Sequence, residues 1–326
     1  MSIFLSFFHI FYKSKAIGGD FLQTNNYFQE EYFDHKIMEN IINEIANRYN
    51  FVKVGNIGKS ILGRSLPLIT LGKGNKSVIY IGAHHGMEWI TSALLVRFVQ
   101  DYSSEYYSGG KIYDVSTRVL FETRKIHVIP MLNPDGVNYC IHGINANNVL
   151  KERLIKMNGN SDDFTHWQAN ARGVDLNHNY SSGFREYKII EKDLGIYQGA
   201  PSKFSGDYSE SEPESKALCD FVRYEIPHLA LSLHTQGEEI YYTSGNKSAA
   251  DSLPIVKTLS RLTGYRISIP TGTASYGGFT DWFIDEFDRP SFTFECGLGV
   301  NPLPFSDFDK IYTSIKRALF TAPILI

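Results

Sequence analysis

Two residues of types that bind metal ions lie close together in the first third of the chain. His85 and Glu88 are separated by two residues in the sequence HHGME. The motif follows an apolar run that ends at Gly82 and precedes a helical pattern that begins at Trp89. Ligands of open α/β sheets bind outside the carboxyl ends of the strands, so both side chains lie where a site would form. The spacing alone is weak evidence, because a hydrogen-bonded histidine at a strand end has the same appearance.

Two further strand ends carry the same kinds of side chain. His234 follows the apolar run LALSL, and Glu295 follows the run SFTF. Three strands would then deliver two histidines and two glutamates to one edge of one sheet. A catalytic zinc takes three protein ligands and leaves one position for water. We therefore expect one zinc ion per chain on His85, Glu88 and His234. Glu295 is then the general base.

Glu238 and Glu239 are alternatives to Glu295 as the fourth residue of the site, beside the three zinc ligands. Both follow Gly237 beyond the strand end, where we expect a turn and a solvated or substrate-facing role. Asp135, in the sequence NPDG after another strand, is a candidate for orienting a zinc-bound histidine. Otherwise NPDG is typical of a turn, and GVDLN, which begins at Gly173, is typical of a turn and a short strand.

Composition restricts what else the protein can be. The chain has 326 residues, of which 43% are hydrophobic and 14% aromatic, so it can bury a large core. Its three cysteines, at positions 140, 219 and 296, are too far apart for a disulfide scaffold or a cysteine-rich zinc module. A metal site must therefore use histidine and carboxylate. The net charge of −3, with no basic block, makes nucleic acid an unsuitable partner.

The first residues of the chain differ in character from the rest. Residues 1–12 form an apolar run without the charged start and cleavage site of a secretory signal, and the run is too short to span a bilayer. We expect residues 1–27 to be an extension and residues 28–326 to be one catalytic domain without a stable membrane span. These features favour the cytoplasm, with the cell envelope or a spore as the open alternative. Oligomeric state leaves no signal in the sequence.

Short apolar runs alternate with helical patterns along the chain. This predicts an α/β domain with one mixed, mostly parallel sheet that has helices on both faces and the metal site at the carboxyl ends of its strands. The predicted strands are Leu66–Leu71, Val78–Gly82, Ile126–Leu132, Leu229–Leu233, Arg266–Ile269 and Ser291–Phe294. The predicted helices are Ile37–Tyr49, Trp89–Tyr102, Glu212–Tyr224, Ala249–Leu262, Asp281–Phe287 and Asp307–Phe320. Between Ile141 and Ser211 we expect an ordered segment, rich in aromatic residues, that forms part of a pocket.

Five fragments together resemble the zinc metallocarboxypeptidases. In order and approximate spacing they are HHGME, NPDG, GVDLN, LSLHT and SFTFE, and the resemblance extends over about Tyr49 to Phe320. The chain looks closest to the bacterial branch that cuts the bond between γ-D-glutamate and meso-diaminopimelate in peptidoglycan stem peptides (endopeptidase I). The fragments that favour this branch are NARGVDLN, HTQGEEIYY, YGGFTDWF and GLGVNPLP. The resemblance implies the same zinc ligands and general base, with Glu295 later returning a proton to the leaving amine.

The resemblance also implies departures in substrate recognition. Digestive relatives have an arginine that binds the terminal carboxylate, whereas here Asn177 is followed by His178. In place of the arginine that stabilises the oxyanion, the chain offers Gln168 or the displaced Arg172. The mobile tyrosine of the family aligns with Thr273, and Tyr276 is the nearest substitute; further candidates for contacting the substrate are Arg185 and Glu238. Cys296, beside the proposed base, is interpreted as a wall of the pocket.

Three functions follow from these observations. The leading one is a zinc peptidase that hydrolyses the γ-D-glutamyl–meso-diaminopimelate bond during cell-wall turnover or recycling. The second is a general zinc carboxypeptidase that removes C-terminal residues from peptides. The third is a zinc-dependent binding protein, which the presence of Glu295 disfavours because binding alone needs no base.

Overall fold

A computed structural model describes residues 28, 31–145 and 148–326. The predicted N-terminal extension, residues 1–27, lies outside these described residues, so the boundary at residue 28 stays a prediction. None of the helices in the described part of the chain combines the length and apolar character that crossing a bilayer requires.

The centre of the molecule is an eight-stranded mixed sheet in the order β1-β2-β6-β3-β7-β10-β8-β9. Its middle, from β6 through β3 and β7 to β10, is parallel, and β2 and β8 pair antiparallel at either side. A separate two-stranded ribbon, β4 and β5, lies outside it. The strands are β1 Lys53–Lys59, β2 Ser65–Gly72, β3 Lys76–Ile81, β4 Lys111–Ile112, β5 Val115–Ser116, β6 Arg124–Ile129, β7 Leu229–His234, β8 Glu239–Tyr241, β9 Arg266–Ser268 and β10 Ser291–Glu295.

Helices cover both faces of this sheet. They are α1 His35–Arg48, α2 Ile90–Ser108, α3 Thr117–Thr123, α4 Pro134–His142, α5 Lys151–Met157, α6 Phe184–Asp193, α7 Pro213–Glu225, α8 Ser252–Thr263, α9 Phe279–Phe287 and α10 Phe308–Thr321. Strand β3 shows why two layers are needed. Val78 and Tyr80 face a core shared with α1, α2, α8 and α10, whereas Ile79 and Ile81 face one shared with α7 and α9. The predicted single α/β domain is confirmed.

The predicted elements are present, with small differences at their ends. Helix α1 begins two residues earlier than predicted because the Asp34 carboxylate caps it, accepting a hydrogen bond from the Ile37 amide at 2.8 Å. Strand β6 ends at Ile129, before Pro130, three residues short of the prediction. The strand β1, the short strands β4, β5 and β8 and the helices α3 to α6 were not predicted.

Two motifs interpreted as turns form helical structure. Asn133 caps α4 by accepting a hydrogen bond from the Gly136 amide at 2.9 Å, with Pro134 at the first helical position. Asp175 caps a short 3₁₀ helix, Leu176–His178, where a strand was expected. In both cases a side chain that would suit a turn satisfies the free amides of a helix start instead.

Asn179 ties the long segment before α7 together. Its buried side-chain amide donates to the carbonyl oxygens of Ser205 at 2.7 Å and Tyr208 at 3.1 Å. Its oxygen accepts from the Glu212 amide at 3.2 Å and from the Ser215 hydroxyl at 2.6 Å. One side chain thus joins the region after Asp175 to the loop that precedes α7.

Replacing Asn179 with alanine should lower the free energy of unfolding by about 2–4 kcal/mol, because several buried polar groups would lose their partner together. Chemical denaturation measures this. As a control, Asn56→Ala removes an exposed side chain that accepts a hydrogen bond from the Gly58 amide, and should cost less than about 1 kcal/mol. Equal losses in the two variants would contradict the role of Asn179.

Candidate metal centre and active site

Three side chains converge at the carboxyl edge of the sheet. Glu88 approaches Nδ1 of His85 at 2.9 Å with one carboxylate oxygen and Nδ1 of His234 at 3.0 Å with the other. The two Nδ1 atoms are themselves 3.3 Å apart. All three residues are buried, and within the described residues this is the one group of three such side chains able to hold a metal ion.

The register of the parallel strands explains this convergence. Ile81 at the end of β3 lies beside Ser232 of β7, so the chain leaving β3 reaches the end of β7 near His234. Glu295, the last residue of β10, pairs with His234 in the parallel register. The four residues selected from strand ends therefore occupy one edge, as the α/β arrangement requires.

Two glycines allow the HHGME and NPDG segments to meet. A Cβ atom on Gly86 would lie 2.5 Å from the backbone carbon of Gly136, so any side chain there would force the segments apart. Asn133 completes the contact, since its amide donates to the carbonyl oxygens of His84 at 3.1 Å and Gln168 at 3.2 Å. NPDG thus holds the loop that carries His85.

The residue that orients His85 is Asp175, not Asp135. One oxygen of the buried Asp175 carboxylate contacts Nε2 of His85 at 3.1 Å, and the other accepts from the Gln168 amide at 3.1 Å and the Lys203 backbone at 3.0 Å. This leaves Nδ1 of His85 to face Glu88. The predicted role of Asp135 is wrong, because its carboxylate is used by Arg64 and by the backbone amide at position 62.

Opposed effects set the charges of this cluster. Burial would lower the pKa of His85, but the carboxylates of Glu88 and Asp175 outweigh burial and hold this pKa well above its usual value. Burial would raise the pKa of Glu88, but His85 and His234 bring it down to about 2. Burial, together with the charge of Glu88, raises the pKa of Glu295 well above its usual value.

The donor set fits a divalent zinc ion. Two imidazole nitrogens and a carboxylate are ligands that zinc takes in catalytic sites. The contact between Asp175 and the other nitrogen of His85 is the kind that fixes a metal-binding imidazole in one orientation. A cation between the three side chains would also compensate the buried Glu88 carboxylate without a proton on either histidine.

A cavity of about 260 Å³ opens beside this cluster. Most of its lining residues are polar, and several of them are threonines. The lining residues are His85, Glu88, Gln168, Asn177, His178, Lys203, His234, Thr235, Tyr241, Thr243, Pro270, Thr273, Ala274, Gly278, Thr280, Asp281, Thr293 and Glu295. Four of them come from the segment between Ile141 and Ser211, which therefore forms part of the pocket as predicted.

The structure places the predicted substrate-contacting residues differently. Asn177 and His178 line the cavity. Arg172 does not, because its guanidinium lies outside and pairs with Glu212 at 3.6 Å. Tyr276 also lies outside, with its ring against Gly183, whereas Thr273 lines the wall.

Of the remaining candidates, Gln168 lines the cavity and the others lie outside it. Arg185 and Glu238 do not line it, and Glu239 pairs with Arg266. Cys296 follows the end of β10 and is completely buried in the apolar core, so, contrary to the prediction, it does not form part of the pocket wall.

Lys203, Tyr241 and Thr243 line the cavity but were not singled out from the sequence. Tyr241 belongs to the three-residue strand β8, which is too short to give a periodic signal. The Thr243 hydroxyl is buried without a hydrogen-bond partner in the described structure. Lys203 lies in an irregular loop, where position along the chain does not indicate proximity to a strand end.

Comparison with known proteins agrees with this geometry. The sequence pattern of the zinc carboxypeptidases matches residues 38–314. The chain belongs to the zinc carboxypeptidase family. It is therefore a metallopeptidase, and membership implies a zinc cofactor. The chain is 36% identical over 284 residues to a γ-D-glutamyl-L-diamino acid endopeptidase 1 of Lysinibacillus sphaericus, a match that covers 87% of this chain and 70% of that protein.

Solved zinc carboxypeptidase folds superimpose on most of the chain. Carboxypeptidase A from Helicoverpa armigera gives a TM-score of 0.67 at 18% identity, covering 92% of this chain and 75% of the other. Murein-tripeptide amidase MpaA from Escherichia coli O157 gives 0.52 at 18% identity, covering 83% and 91%. Both likenesses establish the shared fold.

Asp175→Asn should weaken zinc binding by about 10- to 100-fold, because an amide cannot accept hydrogen bonds through both of its terminal atoms and His85 would lose its fixed orientation. Competition with a chelator of known affinity measures this. Asp193→Asn, an exposed change on α6, is the matched control and should leave the affinity unchanged. Unaltered affinity in Asp175→Asn would contradict the orienting role.

Proposed function

We propose that this zinc carboxypeptidase hydrolyses the bond between γ-D-glutamate and meso-diaminopimelate in peptidoglycan stem peptides, in cell-wall turnover or recycling. The observation that carries the choice of bond is the 36% identity, over 87% of the chain, to an endopeptidase whose name specifies a γ-D-glutamyl-L-diamino acid bond. The polar wall of the cavity supports the choice, because a diamino acid brings charged groups rather than an apolar side chain.

We further propose that His85, Glu88 and His234 hold one zinc ion. When bound there, zinc supplies a Lewis acid that polarises the scissile carbonyl and lowers the pKa of water. The protein's part is to fix the donors, which the pairing of His234 with Glu295 and the contact between Asp175 and His85 achieve. The cytoplasmic location stays a prediction.

Glu295 is the proposed general base. Its carboxyl group lines the cavity beside His234, and a zinc ion held by the neighbouring ligands would favour its ionised form. The carboxylate takes a proton from water as the water oxygen attacks the carbonyl carbon. When the carbon–nitrogen bond breaks, Glu295 returns this proton to the nitrogen of the leaving amine. Gln168, held against Asp175, offers an amide N–H in the same cavity for the oxyanion that forms in between.

The surroundings of His178 disfavour ordinary carboxypeptidase action. Its ring is stacked on Tyr187 with centroids 3.7 Å apart, and its Nδ1 lies 3.0 Å from the Tyr276 carbonyl oxygen. Burial lowers the pKa of His178, so the imidazole is neutral near pH 7. It therefore offers neither the charge nor the two parallel donors with which an arginine binds a terminal carboxylate.

The purified, zinc-loaded protein should cleave the tripeptide L-Ala-γ-D-Glu-meso-diaminopimelate into L-Ala-D-Glu and diaminopimelate, which mass spectrometry detects. An isomer with the glutamate linked through its α-carboxyl group should be cleaved more slowly, because its scissile carbonyl is differently placed. Failure to cleave the γ-linked peptide, with release of C-terminal residues from ordinary peptides, would replace the proposal with general carboxypeptidase activity.

Glu295→Gln should reduce kcat by at least about 100-fold while bound zinc is retained, because the amide cannot accept a proton. Glu239→Gln is the matched control, since Glu239 pairs with Arg266 and does not line the cavity. Kinetics and metal analysis of both variants provide the test. If activity survived in Glu295→Gln but were lost in Glu239→Gln, the general base would be Glu239 on the neighbouring strand β8 and not Glu295.

A further inference from the structure

We propose that Lys203 binds a carboxylate group of the substrate and is the cationic anchor of the cavity. The inference rests on the proposed function, because it concerns how the same cavity recognises its peptide. The position where digestive relatives place an arginine holds His178 here. Lys203 lies in a different loop, between α6 and α7.

The charges of the cavity point to this residue. Among the described residues that line it, Lys203 is the only lysine or arginine. The other ionisable groups of the wall include the carboxyl groups of Glu88, Glu295 and Asp281, which cannot pair with an anionic substrate. Lys203 forms no ion pair within the described ranges, and its charge is therefore available to a ligand.

The backbone of Lys203 is fixed beside the reacting centre. Its amide donates to Asp175 at 3.0 Å, and the Asp175 amide donates to the Phe204 carbonyl oxygen at 2.7 Å. The same carboxylate contacts His85 at 3.1 Å, so one side chain separates the Lys203 backbone from a proposed zinc ligand. Lys203 is half-buried and has a φ of +66°, an uncommon conformation for a residue with a side chain.

The other basic residues considered for contact with the substrate do not supply this charge. Arg172 pairs with Glu212 outside the cavity, and Arg185 does not line it. His178 lines the cavity, but its ring is stacked on Tyr187 and directed to a backbone carbonyl oxygen. Among the described lining residues, the flexible ammonium of Lys203 is therefore the remaining cationic group that can pair with an anion.

A γ-linked glutamyl peptide offers such an anion on each side of the scissile bond. The glutamyl residue keeps its α-carboxylate free because the chain continues through the γ-carboxyl group. On the other side, diaminopimelate carries one carboxylate next to the amine that leaves and a second at the far end of its side chain. The glutamyl α-carboxylate and the nearer diaminopimelate carboxylate are both within a few bonds of the reacting carbon, and the experiment separates the two sides.

The test compares Lys203→Met with the wild-type enzyme on three forms of L-Ala-γ-D-Glu-meso-diaminopimelate. These are the free acid, the form with the glutamyl α-carboxylate as a carboxamide, and the form with both diaminopimelate carboxylates as carboxamides. We expect a loss of about 10- to 100-fold in kcat/KM on the free acid, mainly through KM. The carboxamide form that lacks the carboxylate bound by Lys203 should lower the kcat/KM of the wild type by the same factor. It should not lower the kcat/KM of the Lys203→Met variant any further.

Binding is measured separately from turnover. In the Glu295→Gln background, calorimetry with the free acid should show the same weakening when Lys203 is changed to methionine. Lys203→Arg should restore most of the affinity, and Lys257→Met, an exposed change on α8, should have no effect. Lys203→Gln serves as a second variant if the methionine protein does not fold.

Two results would overturn the proposal. One is a Lys203 variant that binds and cleaves the free acid within twofold of the wild type. The other is a loss in kcat that persists undiminished on both carboxamide forms, which would assign Lys203 to the oxyanion instead. Absence of cleavage by the wild type would contradict the proposed function, whereas binding in the Glu295→Gln background would still decide the role of Lys203.

Discussion

The buried carboxylate of Asp175 is the interaction on which the site depends. A charge removed from water must be compensated, and Asp175 is compensated by donors from three parts of the chain: His85, Gln168 and the backbone of Lys203. The carboxylate therefore holds the long segment before α7 against the edge of the sheet. Orientation of the metal-binding imidazole and construction of the cavity wall are consequences of the same set of hydrogen bonds.

Ionisable side chains are concentrated at this edge of the sheet. Glu88 is buried between His85 and His234, which lower its pKa to about 2, and Glu295 lies beside them. The remainder of the fold supports this arrangement with two apolar cores, one on each face of the sheet, and with the close contact between Gly86 and Gly136. Metal binding would stabilise the same strands that position its ligands, which couples the cofactor to the fold.

The sequence predicted those parts of the site that strands position. His85, His234 and Glu295 follow apolar runs, and the carboxyl ends of adjacent parallel strands must lie together. Residues on loops were not predictable in this way. Asp135 was expected to contact a histidine because it follows a strand, but α4 begins there and directs it to Arg64. Lys203 lines the cavity, and its backbone amide donates to Asp175, a contact that no local pattern reveals.

The central claim is that His85, Glu88 and His234 form a zinc site at the end of β3 and β7. Anomalous X-ray scattering from a crystal of the zinc-loaded protein, recorded on both sides of the zinc absorption edge, tests it most directly. The account predicts one strong anomalous peak in contact with Nδ1 of each histidine and with the Glu88 carboxylate, and with Glu295 nearby. A zinc peak bound by other residues, or none at this position in fully loaded protein, would contradict it.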